Sequence, residues 1–118
     1  ISPVRHFMRT ATADTMVGEK EIRQGELAIL WYPSANRDES VFDQPFEFRV
    51  DRSDSKQIAF GFGAHVCLGQ HLARMEMASL FKAMFEKIDD IEVNGESKYM
   101  QSTFVGGLKS LPIAYKLK

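Results

Sequence analysis

The side chains able to do chemistry crowd into one stretch, FGFGAHVCLGQHLARME, residues 60–76. It holds the only cysteine, Cys67, two of the three histidines, His65 and His71, and the glycines Gly61, Gly63 and Gly69. An irregular loop here runs into a segment with helical spacing. The first N–H groups of a helix lack internal partners and carry partial positive charge, so a thiol at that junction has its anion stabilised. The glycines let the backbone approach a flat, bulky group without Cβ clashes. His65 is within reach of an anion held by the same loop, and Phe60 offers an apolar face. Together they suggest a thiolate presented to a large cofactor, apolar in its plane and anionic at its rim; haem with its propionates meets that description.

Other readings stand beside this one. A lone cysteine also serves as a small buried hydrophobe. His65, Cys67 and His71 offer three zinc ligands but lack a fourth, and structural zinc sites usually carry two or more cysteines. A Cys–His nucleophile would need a base partner and oxyanion donors that the sequence does not place. A dinucleotide loop fails, because the G-x-G-x-x-G pattern needs glycine where Val66 stands.

The elements that must position this loop come from one chain of 118 residues, a length that suits one domain and one core. Hydrophobic residues make up 44% and charged residues 26%, the balance of a soluble globular chain and not a disordered one. The net charge of −1 invites neither nucleic acid nor an anionic membrane. A single cysteine forms no internal disulfide and fits a reducing, cytoplasmic setting. No apolar run approaches the roughly 18 residues of a membrane span, and no signal peptide is visible. The opening ISPVRHF reads as a piece of something longer.

Val4–Thr12 is β-compatible, and DTMVGEKEI predicts a hairpin turning at Gly18. GELAILWY predicts a strand buried on both faces and ended by Pro33, after which Ser34 caps a helical turn. Residues 41–56 show no period and are expected to be irregular, pinned by Phe42, Phe46 and Phe48. Leu72, Met75, Leu80, Phe81, Met84, Phe85 and Ile88 form one apolar stripe and predict a helix over residues 68–88 that packs into a core. IEV, YMQSTFV and LPIAYKL read as short strands, punctuated by Gly95 and by Gly106-Gly107. The expected fold class is mixed, α+β, with one dominant helix.

On these residues the chain resembles the cytochrome P450 monooxygenases. Their haem-binding signature (Phe, two residues, Gly, three residues, Cys, one residue, Gly) is matched by Phe60, Gly63, Cys67 and Gly69, and the match runs on through Leu72, Ala73, Arg74 and Glu76. SPVRHFMRTATAD is similar to the strand after the family's K helix, YPSANRDE to the segment before its meander, and TFVGGLKSLPI to the hairpin that enters the substrate pocket. The resemblance implies the C-terminal portion of that fold: β hairpins and meander, cysteine-ligand loop, long L helix and C-terminal β hairpin, with residues 1–118 lacking the Glu-x-x-Arg helix and the I helix. It implies haem b, with Cys67 as axial ligand to the iron, a role for which this family is a standard case. Phe60, Gly61, Leu68 and Gly69 then belong to the cofactor loop, the last two with amides that temper the sulfur. Arg9 and His65 would hold the propionates, and Arg52 would lock onto the Glu-x-x-Arg motif. Val4, Phe7, Phe104 and Val105 would line the pocket, and Arg74 would face an acidic electron donor. The finer wording resembles bacterial terpene hydroxylases such as the terpineol and linalool enzymes, with steroid and branched-lipid hydroxylases close behind. It implies a ferredoxin-type donor with its reductase, a small apolar substrate and O2, and no nucleic acid or membrane partner. The rival expectation is a non-catalytic fragment that binds haem or folds only in part.

Overall fold

A computed structural model describes residues 2–52 and 56–118. They fall into two compact units, Ile1–Ala59 and Phe60–Lys118.

In the first unit, strand β1 (His6–Thr10) pairs antiparallel with β4 (Leu27–Trp31), and the smaller hairpin of β2 (Thr15–Val17) and β3 (Lys20–Ile22) is nested between them. The expected hairpin is present, and Gly18 turns it at φ 58°, a left-handed value that favours glycine. His6 opposes Trp31 across the outer ladder, and their rings stack at 5.5 Å. The strand β4 is not buried on both faces: Leu27 is 64% exposed and Ile29 59%. Its apolar run lacks cover because β1 is its only strand neighbour among the described residues.

Pro33 does not simply end β4. It sits in the first turn of α1 (Tyr32–Ala35), where its missing N–H costs nothing. Ser34 therefore lies inside that helix, and Trp31 is the N-cap, with no side-chain cap bond. Tyr32 is the buried hydrophobic residue of this unit; its N–H donates to the Arg5 carbonyl at 2.9 Å, and its ring meets Phe7 at 6.2 Å.

Residues 41–52 are irregular, as expected; residues 53–55 of that stretch lie outside the described residues. The pins differ from the expected aromatics, since Phe46 is 75% and Phe48 94% exposed, with only Phe42 half-buried. Arginines do the holding. Arg52 Nη1 donates to the Asp43 carbonyl, and Arg52 Nη2 donates to those of Gln44 (2.7 Å) and Glu47 (2.9 Å). Arg49 pairs with Asp51 at 3.0 Å, a contact that holds the Asp51 carboxyl below its ordinary range. An aperiodic segment has no ladder for its carbonyls, so one guanidinium serving three of them substitutes for one. Arg52→Ala is expected to loosen residues 43–47 at a cost of about 1–2 kcal/mol, discounted because water reaches these carbonyls. Arg52→Lys should recover little, because an ammonium is a point charge without the guanidinium's fork. Amide exchange within 43–52 measures the effect, and wild-type protection in Arg52→Ala would remove it.

In the second unit, a 3₁₀ turn (Gly63–His65) precedes the helix α2 (Gln70–Lys87). Strand β5 (Ile88–Val93) pairs antiparallel with β8 (Ile113–Leu117), and the short pair β6 (Lys98–Tyr99) and β7 (Leu108–Ser110) is nested inside. The helix α2 is two residues shorter at its start than its apolar stripe suggests, and Ile88 already belongs to β5. The stripe is not packed into a core here: no residue of α2 is buried, Leu72 and Leu80 are each 58% exposed, and Phe81 and Phe85 stack on one another at 6.4 Å. Of YMQSTFV only Tyr99 is in a regular strand.

The chain as a whole exposes 10081 Å². A folded monomer of this size exposes about 6,500 Å². Exposed apolar side chains of β4 and α2, such as Leu27, Ile29, Leu72 and Leu80, contribute to the excess.

Candidate haem-thiolate site

Cys67 is a free, exposed thiol two residues ahead of Gly69, the N-cap of α2. It therefore precedes the first helical turn and is not part of it. Its N–H donates to the Phe60 carbonyl at 2.7 Å, closing residues 60–67 into a loop. Its own carbonyl accepts from Gln70 N–H at 3.2 Å, which ties the loop to the start of α2. Inside the loop, Gly61 (φ 76°) and Gly63 (φ 65°) take left-handed conformations that side chains rarely adopt. A Cβ added at Gly63 or Gly69 would meet nothing within 4 Å, so both glycines border open space. His65 ends the 3₁₀ turn and is exposed. Leu68 (99%) and Phe62 (85%) are also exposed, whereas Phe60 is half-buried beneath Arg74, whose guanidinium carbon lies 5.1 Å from the ring centroid.

The donor set tests which metal group these residues suit. Among the described residues no cluster of three or more His, Cys, Asp or Glu side chains is placed to hold a metal ion. That disfavours a zinc site, which needs four protein or water ligands around one centre. One accessible thiol can be the sole protein ligand only where the cofactor brings the rest of the coordination sphere, as a porphyrin does. Open space beside the glycines agrees with a broad, flat group.

The remaining expected site residues are placed as follows. Arg9 lies on β1 opposite Ala28, half-buried, and Arg9 Nη1 donates to the Met8 carbonyl at 2.9 Å. Val4 is half-buried and Phe7 45% exposed, both in the first unit. In the second, Phe104 is 44% exposed and Val105 half-buried. The structure adds two contacts that sequence reading missed. Ser102 Oγ accepts the N–H groups of both Phe104 and Val105 at 3.2 Å, an arrangement that the Ser-Thr-Phe run could have signalled as a serine turn. The Arg74–Phe60 contact spans fourteen positions across a loop–helix boundary and leaves no periodic trace.

Comparison with known proteins agrees with this geometry. A family model described as Cytochrome P450 matches residues 1–117. Cytochrome P450-terp of a Pseudomonas species is 46% identical over 114 residues, covering 97% of this chain and 27% of that protein. Linalool 8-monooxygenase of Pseudomonas putida is 40% identical over 112 residues, covering 95% of this chain and 28% of its own length. The crystal structure of CYP108D1 from Novosphingobium aromaticivorans superposes with a TM-score of 0.94 at 45% identity, over 98% of this chain and 28% of that one. The chain belongs to the cytochrome P450 family, whose members bind haem iron. It spans little more than a quarter of the length of the relatives it matches. No helix among the described residues is long and apolar enough to cross a membrane.

Proposed function

We propose that this chain is the C-terminal, proximal haem-binding part of a bacterial monooxygenase that hydroxylates a small apolar, terpene-like substrate. The observation that carries the reading is the accessible Cys67 thiol on a loop closed by Phe60 and opened by glycines at positive φ. In the net reaction one atom of O2 enters a C–H bond. The other leaves as water, with two electrons from a ferredoxin-type donor and its reductase and two protons from solvent. The haem, when bound, supplies the oxygen-activating chemistry, favoured by thiolate electron donation.

The chain's own residues bind and orient. By resemblance, Cys67 would supply the thiolate, and the Leu68 and Gly69 amides would moderate its charge by hydrogen bonding to the sulfur. Gly61 and Gly63 add no Cβ at their own two positions of the loop, where positive φ disfavours a side chain. By resemblance, Arg9 and His65 neutralise the propionates, Arg52 locks the meander to a Glu-x-x-Arg motif, and Val4, Phe7, Phe104 and Val105 give the substrate an apolar surface. Ser102 holds the backbone of the last two. A reducing, cytoplasmic location fits the single unpaired thiol. The terpene assignment draws on similarity to P450-terp and Linalool 8-monooxygenase. Proteins named Steroid C26-monooxygenase, one of them 40% identical, make steroids the alternative substrate class.

The test is turnover by the full-length protein, loaded with haem and supplied with a ferredoxin, its reductase and O2. Hydroxylated product from a monoterpene is expected, coupled to oxygen uptake. Steroid products alone would move the substrate class, and no product across both panels would sink the reading.

A further inference from the structure

Arg74 stands in the second turn of α2, where the Ala73 N–H bond to the Gly69 carbonyl (2.9 Å) already fixes the backbone. Among the described residues it makes no ion pair with a carboxylate. Its charge faces the Phe60 ring instead, at 5.1 Å, inside the roughly 6 Å range of a cation–π contact. The apolar side chains around it on the loop are unheld: Phe62 and Leu68 are almost fully exposed, whereas Phe60 is half-buried. The Phe60 carbonyl, in turn, is the acceptor for the Cys67 amide at 2.7 Å. A continuous relay therefore runs from guanidinium to ring, from ring to carbonyl, and from carbonyl to the residue bearing the thiol.

We propose that Arg74 is a positioning residue of the cysteine loop, clamping Phe60 to α2 and so holding the Cys67 backbone in register. A surface cation used only for docking would act through the electron donor and show itself in salt-dependent kinetics with that donor. The clamp acts without any donor. Its consequence for the iron rests on the haem-thiolate reading above, but the clamp itself does not.

The experiment compares the full-length protein with Arg74→Met, Arg74→Lys, Phe60→Leu and the Arg74→Met/Phe60→Leu double variant. The first readout is hydrogen exchange at the Cys67 amide, taken relative to amides inside α2. Arg74→Met should speed it roughly two- to fivefold, the range a single partly exposed cation–π contact supports. Arg74→Lys keeps a cation and should restore most of the protection. In the Phe60→Leu background Arg74→Met should add nothing. The second readout is the haem reduction potential taken electrochemically with no protein donor: it should shift in Arg74→Met and return in Arg74→Lys. Unchanged exchange in Arg74→Met, or an equal further increase in the Phe60→Leu background, overturns the clamp. Haem content is measured alongside. A haem-free protein counts against the proposed function, and the exchange comparison still decides the clamp.

Discussion

Cys67→Ser is expected to abolish the strongly red-shifted reduced carbonyl spectrum of the haem-loaded, full-length protein and to cut oxygenation by more than about a hundredfold. Changing even an outer-shell partner of a metal ligand typically costs 10–100-fold, so loss of the only protein ligand should exceed that. The substitution is nearly isosteric, and Cys67 is exposed, so little packing is at stake. The backbone bonds from Cys67 N–H to the Phe60 carbonyl and from Gln70 N–H to the Cys67 carbonyl do not involve the sulfur and should survive. Thermal stability of the apo-protein and amide exchange in the loop should therefore match wild type. A hydroxyl is far harder to ionise than a thiol and gives up less electron density to iron. A variant that keeps the red-shifted spectrum would remove Cys67 from the centre of the site.

The 118 residues by themselves are expected to form a loosely packed state that neither unfolds cooperatively nor oxygenates substrate, even with haem and an electron-transfer system present. The reason is apolar surface. Leu68, Phe48, Val50, Phe85 and Phe46 are all at least 72% exposed, and the Leu72–Met75–Leu80–Phe81 face of α2 is more than half exposed. Each large side chain left in water forgoes about 1.5–3 kcal/mol of burial. Five such residues forgo an amount comparable with the roughly 5–15 kcal/mol net stability of a whole domain. Far-UV circular dichroism should report helix and strand, the near-UV signal should be weak, and a hydrophobic dye should bind. Association of copies through the same surface is the other expected outcome, visible as concentration-dependent sedimentation. A sharp, monomeric thermal transition with coupled product formation would contradict this.

What could be read from sequence follows the reach of each signal. The β2–β3 hairpin was legible because Gly18 marks its turn within a few residues of both strands, and the cysteine loop because its residue types are rare and tightly spaced. The start of α2 was misplaced because Gly69 caps it with no side-chain oxygen to announce the position. Pro33 is ambiguous in sequence, since it ends a strand and opens a helix equally well. The burial of β4 was misjudged because a continuous apolar run records what a strand is suited to face, and here little faces it. Arg52 was legible only as a family motif position. Its bonds to three carbonyls join a side chain to an aperiodic backbone, and no pattern of residue types encodes them. The β7 strand was legible only within the family's hairpin TFVGGLKSLPI, because Gly106-Gly107 directly before it reads locally as a break.

The nesting of the ladders also has a consequence for the order in which the chain acquires structure. Val17 meets Lys20 and Lys98 meets Ser110 over short separations, whereas Thr10 must find Leu27 and Ile88 must find Leu117. Closing a loop costs entropy that grows with its length, so the inner pairs set first and shorten the effective path for the outer ones. During synthesis, which proceeds from the N-terminus, the β1–β4 ladder can close while the ribosome is still adding α2. The β5–β8 ladder cannot begin until residues 113–117 have emerged. Until then the Cys67 loop and α2 exist without the sheet that follows them.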